Sequence, residues 1–247
     1  MLFRSISLTM NKLALVLLSL FVFSCAGAQH NSSEIINVNA LAFKQLVDAG
    51  NGIVLDVRTP EECAEGTIAN ASTIDFYAED FKHKINLINK DKEIYVYCHA
   101  GGRSSKAAAI LAENGFKKVY NLEGGITAWK ENGFPVTPST AQADDKIKGM
   151  TIAEFNALLN SGKPLLADFH TKWCAPCRQM APIVDKLALE YQDKINVVRI
   201  DVDNSKELSE SYSIKSVPVF ILFKNGKETW RKTGTMPESE LKEVIEN

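Results

Sequence analysis

The stretch Leu165-Leu166-Ala167-Asp168-Phe169-His170, continued by Thr171-Lys172-Trp173-Cys174-Ala175-Pro176-Cys177-Arg178, is an apolar run that gives way to two cysteines at the head of a helical pattern. A buried strand feeding a helix N-terminus is the repeating unit of a sheet flanked by helices, and it sets the expected class as α/β. The cysteine spacing sets the chemistry. Unpaired amides and the dipole at a helix start stabilise a thiolate, so Cys174 is the expected attacking sulfur. Cys177, one helical turn later, can reach the same mixed disulfide and resolve it.

A second reactive-cysteine pattern lies upstream. The run Glu93 to Tyr97 reads as a strand, and it ends in Cys98-His99-Ala100-Gly101-Gly102-Arg103-Ser104 before a helix from Ser104 to Glu113. Gly101 and Gly102 would let the backbone curl so that successive amides face the Cys98 sulfur, a nest suited to a thiolate, a persulfide or a bound oxyanion. Arg103 can add a bidentate clamp on a sulfonate or phosphate-like group. The chain therefore reads as one polypeptide that joins dithiol redox exchange to a covalent step on a lone cysteine.

The chain has 247 residues, 45% of them hydrophobic and 23% charged, enough for one large domain or two of about 100 residues each. Its net charge of -2, with pI near 6.1 and no long basic run, argues against nucleic acid or an anionic membrane surface as main partner. The expected partners are small sulfur anions or persulfides and thiol or disulfide proteins.

At the N-terminus Arg4 and Lys12 precede an apolar run from Leu13 to Phe23, too short to span a membrane and suited to an export signal; initiation at Met10 would make it more compact. Val22-Phe23-Ser24-Cys25 resembles a lipoprotein cleavage box, while Ala26-Gly27-Ala28 offers an ordinary signal-peptidase site. Lipidation of Cys25 is favoured, because a cysteine directly after such a run is otherwise unexpected. The expectation is an exported protein, periplasmic or anchored by lipid at Cys25, with residues 1–28 as the export segment. Thiols there do not stay reduced unaided, so a membrane reductant is the expected source of electrons.

Of the five cysteines, setting Cys25 aside leaves Cys63, Cys98, Cys174 and Cys177, grouped by motif rather than spread as staples. No metal is expected: a structural zinc site needs four ligands, and neither a second C-x-x-C nor a nearby histidine pair accompanies Cys174 and Cys177. No organic cofactor is called for either.

Alternation of elements fills in the rest. Asn39 can cap a helix through Leu41, Phe43, Leu46 and Val47, followed by a strand Ile53 to Val57, a short strand Lys118 to Asn121 and a helix around Trp129. From Phe134 to Asp145 the pattern lapses into Pro, Ser, Thr, Gln and Asp, and a linker is placed at 138–146. The second block starts with Thr151 capping a helix to Leu159. It continues through strands Leu165 to Phe169 and Ile195 to Val202, a helix Lys206 to Tyr212, a hairpin Val219 to Phe223 with Glu228 to Thr233, and a last helix Glu238 to Glu246.

Residues 147–247 resemble thioredoxin over a whole domain, through Trp173-Cys174-Ala175-Pro176-Cys177, Asp168 on the preceding strand, Pro182 in the helix and Val217-Pro218 opposite. Residues 29–137 are assigned to a single rhodanese-like domain, through Asp56-Val57-Arg58-Thr59-Pro60-Glu61-Glu62, the Cys98 loop and Gly124-Gly125-Ile126-Thr127-Ala128-Trp129. The resemblance implies that Asp168 is a buried carboxyl beneath the dithiol and accepts the Cys177 proton. It makes Pro218 a cis-proline whose neighbour Val217 pairs through its backbone with an extended thiol substrate, beside Trp173. The loop spacing from Cys98 to Arg103 is that of sulfur-transferring rhodaneses, the related phosphatase loops being one residue longer. His99, Ala100, Gly101, Gly102, Arg103 and Ser104 then form the binding loop, Arg58 a structural buttress, and Cys63 a small buried hydrophobe.

The expected function is sulfane-sulfur transfer through a Cys98 persulfide, discharged by thiol-disulfide exchange at Cys174 and Cys177. The alternative is a general extracytoplasmic thiol-disulfide oxidoreductase whose rhodanese domain is a sensor or binding module.

Overall fold

Asn39 and Thr151 fix where the first helix of each half begins. The Asn39 side chain accepts the Ala42 amide, and Thr151 forms a reciprocal cap with Glu154, each satisfying a donor the helix itself leaves open. A computed structural model describes residues 33–138 and 149–247. The expected linker therefore falls largely, and the export segment with Cys25 wholly, outside the described residues.

The first half runs β1 (Glu34–Val38), α1 (Ala40–Ala49), β2 (Ile53–Asp56), α2 (Pro60–Ala64), β3 (Ser72–Thr73), α3 (Phe81–Asn86), β4 (Ile94–Tyr97), α4 (Gly102–Glu113), β5 (Lys118–Leu122) and α5 (Gly125–Glu131). Its strands form one parallel sheet in the order β1-β5-β4-β2-β3. Parallel strands covered by helices read as unbroken apolar runs, and Ile94-Tyr95-Val96-Tyr97 is buried throughout. Four elements, β1, α2, β3 and α3, were not anticipated. β1 is a half-exposed edge strand and β3 has only two residues, so neither carries a hydrophobic run.

The second half runs α6 (Ile152–Leu159), β6 (Leu165–His170), α7 (Ala175–Glu190), β7 (Asn196–Asp201), α8 (Lys206–Ser211), β8 (Val219–Lys224), β9 (Lys227–Thr233) and α9 (Glu238–Glu246). Here β6 is central, parallel to β7 and antiparallel to β8, with β9 closing the order β7-β6-β8-β9. Asn225-Gly226 turns the β8–β9 hairpin with both residues at positive φ, the conformation such a tight turn requires. Pro182 lies inside α7, and the Val217-Pro218 peptide is cis.

The described residues of the two halves belong to one compact unit. One hydrophobic cluster continues across their seam, taking Ile74, Leu87 and Ile88 from the first half and Trp173, Cys174 and Val217 from the second. Burying each large apolar side chain there contributes about 1.5–3 kcal/mol, so the seam is held by more than its polar contacts.

Candidate functional site

Cys98 follows β4 directly, at the C-terminal end of the parallel sheet, where such sheets present their binding loops. Its side chain is only 1% exposed. The Gly101 amide donates to its sulfur at 3.1 Å. Gly101 stands at φ 96°, which only glycine adopts readily, and this bend turns the amide inward. Gly102 differs from expectation: it is the first residue of α4, and a Cβ there would meet nothing within 4 Å, so the curl depends on Gly101 alone. The helix accordingly starts two residues before Ser104.

Burial pushes the Cys98 thiol up, but the Ser104 hydroxyl and the amides of Ser104, Gly101 and Ala100 outweigh it, and the thiol titrates below its ordinary value. In the oxidised structure that hydroxyl donates to the Gly101 carbonyl at 3.1 Å; its single proton can turn to the sulfur. The loop is pinned from behind by α5, whose Ile126 and Thr127 amides donate to the Cys98 and His99 carbonyls at 2.8 and 3.1 Å. A Cβ on Gly125 would sit 2.4 Å from the Cys98 carbonyl oxygen, which explains the glycine pair there.

Arg103 lies at this loop but is already engaged. It makes a bidentate pair with Glu62 at 2.6 Å on each arm, and it holds the Glu62 carboxyl down at about 2. Glu62 is a site residue that sequence reasoning quoted without assigning a role. His99 is 64% exposed at its side chain and lies 3.8 Å from Glu62. Arg58 is the buttress expected of it, a buried guanidinium paired with Asp56 at 2.7 Å and bonded to the Gly66 carbonyl. Cys63 is buried and burial drives its thiol far up, so it behaves as a small apolar residue.

The second centre lies where β6 gives way to α7. Cys174 and Cys177 are joined in a disulfide, and Cys174 is the N-cap of α7, its sulfur accepting the Cys177 amide at 3.1 Å. Asp168 is 1% exposed on β6, and burial holds its carboxyl up at about 6 against the pull of Arg199 at 3.1 Å. Its other oxygen has no hydrogen-bond partner, and neither cysteine is bonded to it directly. Arg199 was missed in the sequence; its place is set by the β6–β7 register, which puts it opposite Asp168.

The residues expected to bind substrate at this centre have partners of their own. The Trp173 indole donates to Asp203 at 2.9 Å, and its carbonyl accepts the Thr73 amide at 3.2 Å. The Val217 amide, ahead of cis-Pro218, donates to the Leu87 carbonyl at 2.9 Å. Thr73 and Leu87 thus lie against this centre from positions that carry no sequence motif.

The thioredoxin family matches residues 146–247, and the rhodanese-like domain family matches residues 39–132. The chain is 41% identical over 101 residues to the chloroplastic thioredoxin Y of Oryza sativa subsp. japonica, covering 40% of this chain and 60% of that protein. It is 37% identical over 89 residues to thioredoxin 1 of a Nostoc species, covering 36% of this chain and 83% of that one. A solved rhodanese-related protein from Thermoplasma volcanium is 34% identical, covers 42% of this chain and 99% of its own, and has a TM-score of 0.38. The chain spans 60 to 65% of the length of the chloroplast thioredoxins it matches. With a rhodanese-like domain followed by a thioredoxin domain, the chain belongs to the thioredoxin family.

Proposed function

We propose that this protein is an exported sulfurtransferase and thiol-disulfide oxidoreductase, in which a persulfide formed on Cys98 is reduced by Cys174 and Cys177. The observation that carries the reading is the Cys98 sulfur, held by the Gly101 amide at 3.1 Å in a nest that lowers its pKa, in a chain with a separate dithiol.

The Cys98 thiolate attacks the outer sulfur of a donor such as thiosulfate, forming a Cys98 S–S bond as the donor's S–S bond breaks and sulfite leaves with the electron pair. The amides and Ser104 that stabilise the thiolate also stabilise the persulfide anion. Arg103, neutralised by Glu62, offers a doubly charged donor less attraction than a free guanidinium would, which favours persulfide donors. The Cys174 thiolate then takes the outer sulfur and returns Cys98 as thiolate. Cys177 attacks Cys174, closing the disulfide and releasing sulfide, so two electrons from the dithiol reduce one sulfane sulfur. Asp168, with its carboxyl near 6 and one oxygen unpaired, accepts the Cys177 proton through an intervening water.

Coupling is supported by placement. Thr73 and Tyr97 register with Asp56 from opposite sides, so the strand end that touches Trp173 and the strand end that carries Cys98 lie two strands apart, about 10 Å at ~4.8 Å per strand. The dithiol loop, held at Thr73, has that lateral distance to cross to meet Cys98, so discharge requires the halves to shift against each other. A membrane reductant reopening the disulfide, and lipid at Cys25 holding the chain beside it, complete the cycle.

Peptide mass spectrometry after thiosulfate or polysulfide should locate the added sulfur on the Cys98 peptide. The Cys98→Ser variant should lose sulfur transfer to cyanide and keep its thiol-disulfide exchange. Sulfur transfer retained by that variant would sink the assignment.

A further inference from the structure

The Cys174–Cys177 disulfide is covered by the chain itself. Cys174 is 3% exposed and Cys177 1%, while a thiol that exchanges with other molecules has to be reached by them. The edge of the first sheet lies along the loop that carries them. β3 is the outermost strand, and the groups an edge strand leaves unpaired are the amides and carbonyls of alternate residues. Here the Ala71 carbonyl accepts Arg178 Nη2 at 2.7 Å and the Thr73 amide donates to the Trp173 carbonyl at 3.2 Å. Between them the Ser72 hydroxyl accepts the Ala175 amide at 3.0 Å, an open donor at the head of α7. On the far side of the dithiol the Leu87 carbonyl takes the Val217 amide.

These contacts have the form of an extended peptide laid beside the cysteines. We infer that residues 71–73 and Leu87 act as an internal occupant of the thioredoxin half's protein-docking edge, closing the dithiol to folded disulfide proteins while the halves are docked. Small disulfides and persulfides retain a route. A cavity of about 680 Å³, lined by His170, Thr171, Cys177 and Arg178 among others of the thioredoxin half, reaches the dithiol without crossing the seam. The rhodanese half is on this view a specificity gate. The inference rests on Cys174 and Cys177 being an exchanging dithiol, and not on sulfur transfer at Cys98.

The test is the full chain, pre-reduced and freed of reductant, against insulin and against a small aromatic disulfide. In each turnover one substrate disulfide becomes two thiols as the chain's dithiol becomes a disulfide. Arg178→Ala removes the bond to Ala71, and Ser72→Ala removes the acceptor for Ala175 while leaving the sheet backbone intact. Insulin reduction and alkylation of Cys174 by iodoacetamide should each rise about tenfold in Arg178→Ala, the weight of one hydrogen bond from a charged group, with a smaller rise in Ser72→Ala. Small-disulfide reduction should change less than about threefold. Loss of a cation one turn from Cys174 would by itself slow alkylation, so a gain reports opening. Amide exchange gives a second reading, with peptides around Thr73 and Val217 protected in the wild type and deprotected together in the variants. Wild type and both variants equal on insulin, or no protection of those peptides in the wild type, would overturn the gate. A chain that reduces neither substrate would remove the dithiol reading, and the gate with it.

Discussion

Replacing Asp168 by alanine should stabilise the protein near neutral pH and destabilise it in acid. The carboxyl is 1% exposed and is raised from 3.8 to about 6, chiefly by burial. Below about pH 3.8 it is protonated whether the chain is folded or not, and burial costs nothing in charge. Between about 4 and 6 the unfolded chain releases the proton first, so folding loses stability as pH rises. Above 6 both states are ionised and the folded state carries the full cost, which the interval from 3.8 to about 6 sets at roughly 3 kcal/mol. The attraction of Arg199 is already contained in that net shift, and Arg199 keeps Asp185 at 3.6 Å when Asp168 is gone.

Truncation to alanine also leaves a small cavity, at about 1–2 kcal/mol independent of pH. Asp168→Ala should therefore gain about 1–2 kcal/mol at pH 7.5, a rise of a few degrees in Tm for a chain of this size, and lose about as much at pH 3.5. The difference between the two pH values, roughly 3 kcal/mol, is free of the cavity contribution and is the quantity to measure. Urea unfolding of the oxidised wild type and variant across pH 3.5 to 7.5 gives it directly. A stability difference that stays flat with pH would refute the argument that Asp168 is an ionised buried acid. The same variant should slow release of mixed disulfides, by on the order of 10²-fold if Asp168 is the proton acceptor for Cys177.

Cys177→Ser should accumulate mixed disulfides through Cys174, because attack proceeds and resolution does not, while Cys174→Ser should trap nothing; trapping by the second variant, seen on non-reducing gels, would reverse the assigned roles. Single-turnover sulfide release from persulfidated Cys98 should be independent of protein concentration in the intact pre-reduced chain and become second-order once the halves are separated and mixed, since a joining segment of about ten residues holds its ends near millimolar effective concentration. Equal rates for cut and intact protein at micromolar concentration would instead support independent modules.

The elements that sequence patterning found are those whose reason is local. Ile94 to Tyr97 is buried on both faces and reads as a strand at sight, and Asn39 and Thr151 announce their helices by capping chemistry. The cysteine centres were readable for the same reason, since a thiol at a strand-to-helix junction carries its own electrostatics. What could not be read depends on distant partners. Arg103 has the composition of an anion clamp, yet Glu62, 41 positions away, already occupies both of its arms. Gly102 beside Gly101 suggested a shared role in the curl, and only the dihedral angles separate them.

β3 makes the argument sharpest. Ser72-Thr73 has no length, periodicity or turn signal to predict a strand, and a two-residue edge strand has little stability of its own. It holds its place because β2 pairs one side of it and the dithiol loop of the other half pairs the other. An edge strand left bare is a template for unwanted pairing, and a bare dithiol is open to any disulfide; docking one on the other covers both. The strand hardest to find in the sequence is thus one that partners hold on both sides, and its exposure on opening the seam is the structural change that would let a protein substrate reach Cys174.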